Sequence, residues 1–134
     1  MRTVFDLMQK VSSKLAHKPV RVRFQHNEGF KGLCRTDSSG IVTIDLEPEL
    51  QFYDTKEFLR VFLHEIAHAK NDNFKPIKLE VSDRIPVSRS TAYNQKETRA
   101  DKQAETWLKY AEENRENNLE YFEGCLWSLL NSSF

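Results

Sequence analysis

The sequence predicts an α+β domain in which a small antiparallel or mixed sheet packs on one central helix, with a helical subdomain toward the C-terminus. Three observations carry this. Val20 to His26 reads VRVRFQH, a strict alternation of apolar and polar residues with the period of a half-buried strand. Two further β-prone runs, Lys31 to Arg35 and Ile41 to Leu46, flank Thr36 and the tetrad Asp37-Ser38-Ser39-Gly40, a turn signal that makes them a hairpin. The rest of the chain holds stretches whose apolar residues recur at helical spacing.

In chain order, the N-terminal stretch MRTVFDLMQKVSSKLA places Val4, Leu7, Met8, Val11 and Leu15 on one face, while Asp6, Gln9 and Lys10 interrupt any continuous apolar run. It is an amphipathic helix and not a signal peptide. Gly32 weakens the first hairpin strand. The segment Leu46 to Tyr53, with Pro48, is a connector. Asp54 or Thr55 then caps a helix running to about Lys70, with Asp54 and Glu57 spaced as a capping box. On it, Phe58, Leu59, Phe62, Leu63, Ile66 and Ala69 fill the arc opposite His64 and His68. Asn71 to Asn94 is irregular, with Pro76 and Pro86, and reads as a long loop and candidate lid with one short strand at Ile77 to Val81. A helix from about Gln95 to Glu113 follows, striped by Ala100, Ala104, Trp107, Leu108 and Ala111. A last helix, about Leu119 to Leu130, closes the core with Phe122, Leu126, Leu129 and Leu130.

A chain of 134 residues suits a single domain spanning positions 1–134. Lys plus Arg and Asp plus Glu stand at 20 each, so no overall field draws the chain to nucleic acid or to an anionic membrane, and direct nucleic-acid binding is not expected. No apolar run is long enough to cross a bilayer, which makes a cytoplasmic protein the expectation. Cys34 and Cys125 have no CxxC or Cys/His ligand spacing and read as reduced, packed thiols.

The chemistry concentrates in one motif. His64, Glu65 and His68 form HEIAH, an instance of HExxH, and Glu97 and Asp101 repeat the spacing of four downstream. Positions i and i+4 share a helix face, so both imidazoles can reach one ion while Glu65 points alongside, toward an attacking water. Zinc is the expected ion, because it accepts imidazole and carboxylate and leaves a position open in catalytic sites. HExxH alone is modest evidence. The plain alternative of two surface histidines does not explain why an otherwise apolar helix turns His64, Glu65 and His68 to one side. For Glu97 and Asp101 the plain alternative is a pair of acids favoured by the helix dipole. Against it, both fall on the stripe of Ala104 and Leu108, where a carboxylate is costly to bury unless paired or metal-bound. Glu97 as third ligand and Asp101 as the acceptor behind a ligating imidazole would remove that cost. The HExxHxxGxxH arrangement is excluded, because Asn71 and Phe74 stand where its Gly and third His belong. His17 and His26 have no such partners and read as surface residues.

The stretches VFLHEIAHAK and ETRADKQA resemble the ImmA/IrrE-like metallopeptidases, a gluzincin-like family often linked to phage or mobile elements, and the likeness covers roughly Val20 to Ala111. The resemblance implies a zincin-like fold, His64, His68 and Glu97 as zinc ligands, Glu65 as catalytic base, and Asp101 orienting a zinc histidine. Gln103 departs from the Phe common in the family's second motif, and the extra DNA-binding or sensor domain of many members has no counterpart here. The expected function is zinc-dependent hydrolysis of a peptide bond in a protein or peptide substrate, by family analogy a regulatory protein such as a repressor. Tyr93 is the first candidate for an oxyanion donor and Arg99 a weaker one. The Ile41 to Leu46 strand is a candidate sheet edge for pairing with substrate backbone, its simpler role being core packing. Two rival readings are a zinc-bound binding or regulatory module with little or no proteolysis, and a metal-free helical interaction protein.

Overall fold

The computed structural model describes residues 3–26, 31–36, 39–52, 54–71 and 87–134, with positions 51 and 87–94 described by backbone course. Among them lie α1 (Val4–Ala16), β1 (Val20–Phe24), β2 (Gly32–Thr36), β3 (Val42–Leu46), a 3-10 turn at Pro48–Phe52, α2 (Thr55–Asn71), α3 (Val87–Glu113) and α4 (Tyr121–Leu130). The protein is thus α+β, four helices with a small mixed sheet of order β1-β3-β2. β2 and β3 form the expected antiparallel hairpin, with Cys34 opposite Ile44, and β1 joins β3 in parallel, with Val22 opposite Ile44.

The helix ends follow from their caps. Thr3 Oγ1 accepts the Asp6 N–H at 3.1 Å while Asp6 accepts the Thr3 N–H at 3.5 Å, a capping box that starts α1. Asp54 Oδ1 accepts from the backbone of Lys56 at 2.9 Å and of Glu57 at 3.1 Å, satisfying donors at the start of α2. Two polar side chains of α1 tie it to β1. Gln9 bonds the Val20 carbonyl and accepts the Val22 N–H at 2.9 Å, and Ser13 Oγ accepts the Val20 N–H at 3.2 Å. That edge of the sheet is covered.

One core joins all the elements. Leu7, Met8, Val11 and Leu15 of α1, the inward strand residues Val20, Val22, Val42, Ile44 and Leu46, the apolar arc of α2, and Ala104, Trp107, Leu126 and Leu129 are all buried together. Each fully buried side chain of this size contributes about 1.5–3 kcal/mol of transfer free energy.

Two expectations need correction. The Ile41 to Leu46 run is not a sheet edge: β3 is the central strand, buried at every position, and among the described strands β2 lies at the edge beside α2. Central and edge strands with one apolar face share the same alternation, so the pattern could not separate them. The helix expected from Gln95 begins at Val87, inside the stretch expected to be a loop. Residues 87–94 contain no Gly or Pro and directly follow Pro86, which suits a helix start, but their polar composition leaves no stripe to read. The short strand expected at Ile77 to Val81 lies outside the described residues.

Candidate metal centre

Residues four apart on α2 stack in rows, and two rows lie opposite its buried arc: Arg60, His64 and His68 in one, Glu57, Val61 and Glu65 in the other. Phe58, Leu59, Phe62, Leu63 and Ile66 anchor the helix in the core, which fixes the direction in which the two rows point. The histidine row faces α3 and the Glu65 row faces β2.

Across from the histidines, Glu97 of α3 closes a compact cluster. Its Oε2 lies 2.8 Å from His64 Nε2 and its Oε1 lies 3.1 Å from His68 Nε2, while the two Nε2 atoms are 3.2 Å apart. On the other side of the His64 ring, Nδ1 lies 2.8 Å from Asp101 Oδ1. A carboxylate only accepts, so a proton on Nδ1 would be donated to Asp101 and one on Nε2 to Glu97. In a neutral ring with the proton on Nδ1, Nε2 presents a bare lone pair to the carboxylate of Glu97 and the nitrogen of His68. Acceptors gathered this closely repel one another unless a cation or an extra proton stands between them.

The donor set fits a metal. His64, His68 and Glu97 could hold an ion, with ligand atoms all within 4.8 Å of one another. Two nitrogens each about 2.05 Å from one tetrahedral zinc would lie about 3.3 Å apart, close to the 3.2 Å found between these rings. The side chains of His64 and His68 are 18% and 11% exposed, sheltered enough for a bound ion to be only partly hydrated.

Asp101 reaches His64 as the spacing suggested, but not from the apolar stripe: its side chain is 71% exposed, so burial cost is not what fixes its position. It sits at the stripe's margin, where the α3 surface meets solvent. Glu97 is 32% exposed and faces the histidines directly.

Glu65 is 8% exposed, beside His64 and against β2. Gly32 makes that approach possible. A Cβ on Gly32 would stand 3.0 Å from Glu65 Cγ and 3.1 Å from Val61 Cγ1, so a side chain there would force Glu65 to shift. Lys31, Gly32, Glu57, Arg60, Val61, His64, Glu65 and Asp101 line an open cleft of about 350 Å³ at this point. Gly32, Lys31 and Arg60 were not foreseen as cleft residues. A glycine in mid-strand was the available signal for the first, whereas Lys31 and Arg60 look like any surface cation in sequence.

Tyr93 is on α3, and its side chain falls outside the described residues. Arg99 is exposed on the same helix. His17 Nε2 lies 3.3 Å from the Phe134 carbonyl, and His26 pairs with Glu47 at 2.9 Å, both apart from the cluster. The hydrogen bond and charge of Glu47 raise the His26 pKa above its ordinary value. Neither Cys34 nor Cys125 is in a disulfide, and burial pushes Cys125 up to about 11, which keeps it protonated and inert at neutral pH.

No helix among the described residues is long and apolar enough to cross a membrane. Comparison with protein-family models, with curated proteins and with solved structures returns no match.

Proposed function

We propose that the protein is a zincin-like, zinc-dependent metallopeptidase that hydrolyses a peptide bond in a protein substrate. The observation that carries this reading is the convergence of His64 Nε2, His68 Nε2 and the Glu97 carboxylate, with Asp101 holding the far nitrogen of His64. The resemblance of HEIAH and ETRAD to the ImmA/IrrE-like pattern supports it.

Zinc bound there would polarise the scissile carbonyl and make water nucleophilic near neutral pH. The chain's own groups supply the rest. His64, His68 and Glu97 would hold the ion. Asp101 fixes the His64 tautomer, so that Nε2 presents a lone pair. Glu65, sheltered beside His64 and lining the cleft, takes a proton from the attacking water and returns it to the leaving amine. β2, at the sheet edge and flush against Glu65 through Gly32, is the strand placed to align an extended substrate, a role that sequence reasoning gave to β3.

Glu65→Gln keeps shape and removes the base. Peptide hydrolysis is expected to fall by about 10²–10⁴-fold with bound zinc unchanged, and wild-type-like turnover in this variant would rule out Glu65 as the base.

A further inference from the structure

The N-terminal end of α2 lies beside a second opening, which shares no lining residue with the metal cleft. Val4 of α1, Phe58 of α2 and Tyr121 and Phe122 of α4 wall a pocket of about 270 Å³, whose charged lining residues are Glu120 and Glu123. The wall is largely aromatic. Phe58 stacks on Phe122 with ring centroids 4.9 Å apart, and Phe24 links Phe58 to Phe5 through centroid distances of 6.2 Å on either side. Val4 and Phe5 are each 40% exposed, so apolar surface runs out of the pocket onto the first turn of α1.

The two glutamates lack counter-charges. Among the described residues neither Glu120, which is exposed, nor Glu123, which is half-buried, meets a cation, and Glu120 makes no side-chain cap for α4. Cations of the adjoining segments have other partners: Lys56 lies 3.6 Å from Glu112, and Arg115 sits over the Tyr121 ring at 5.4 Å. The dipole of α4 favours acids at its start, which explains why the two glutamates are tolerated there. It does not explain the apolar surface left open beside them, and apolar surface rimmed by charge is the mark of an interaction site.

We infer that this pocket docks a basic amphipathic segment of a protein partner, an apolar side chain filling the aromatic wall while a neighbouring Lys or Arg meets Glu120 and Glu123. Size selects a side chain: about 270 Å³ falls below the roughly 300–1,000 Å³ of pockets that enclose drug-sized ligands. Charge complementarity selects its neighbour. Both lining charges are negative, which repels phosphates and acidic peptides, and the rings beside them add cation–π attraction for a guanidinium or an ammonium.

The test is an amide-shift NMR titration of the whole chain with a short blocked peptide in which Leu alternates with Lys and Arg, set beside matched peptides carrying Gln or Glu in place of the cations. Saturable shifts centred on Val4, Phe58 and residues 120–123 are expected with the basic peptide, weaker binding with the Gln peptide and none with the Glu peptide. Combining Glu120→Gln with Glu123→Gln should weaken the basic peptide about threefold or more and leave the Gln peptide unaffected. Val4→Ser, at an exposed position that spares the core, should weaken both. Absence of saturable shifts, shifts mapping elsewhere, equal binding of the Glu peptide, or unchanged affinity for the basic peptide in either variant would each overturn the inference.

Discussion

Asp45 and Glu97 are both carboxylates drawn in from solvent, and their surroundings differ in kind. Asp45, on the central strand, meets two guanidiniums that only donate. Glu97, on α3, meets two imidazole nitrogens, His64 Nε2 and His68 Nε2. The first carboxylate has its counter-charge built into the chain and so serves the fold. The second faces two imidazoles, a donor set that a bound cation would complete.

The contrast gives predictions that fall in size. Asp45→Ala should lower stability by about 2–3 kcal/mol, less than the full penalty of an orphaned buried charge because the two arginines can turn to water. A urea titration would show this, with metal content unchanged. Loss of metal along with stability would blur the distinction between the two sites. Asp101→Asn should leave the fold intact and weaken metal binding about 10–100-fold, read by competition with a chelator. Unaltered affinity would mean that the Asp101 contact does not set the His64 tautomer.

The smallest effect concerns His26. Its pKa is raised from 6.5 by Glu47, so its pairing stabilises the fold below pH 6.5 and that contribution is lost as pH climbs through the raised value. Comparing the wild type with His26→Gln across this window should show a small stability difference at the acid end that vanishes on the alkaline side. A difference that grew with pH would reverse the sign of the linkage. Because His26 is exposed, the effect should be smaller than either of the two above.

Much of the candidate site could be read locally. HEIAH fixes both histidines and Glu65 on one helix through spacing alone, and the repeat of that spacing at Glu97 and Asp101 found the facing residues. The hairpin was legible because Asp-Ser-Ser-Gly is a local turn signal. What escaped notice depends on other strands and helices. Asp45 sits in an apolar-polar alternation that predicts an exposed position, yet it is fully buried and pairs with Arg23 and Arg35, which are distant in sequence. The central place of β3 follows from β1 joining it in parallel, which no turn signal encodes. The first two turns of α3 lack an apolar stripe, so periodicity could not reveal them.

Elemental analysis of the purified protein, beside Glu97→Ala, addresses the metal centre most directly. Near-stoichiometric zinc in the native chain and its large loss in the variant are the expected result. A native chain that takes up no zinc even when supplied with it, or a variant that retains zinc fully, would contradict a centre built from His64, His68 and Glu97.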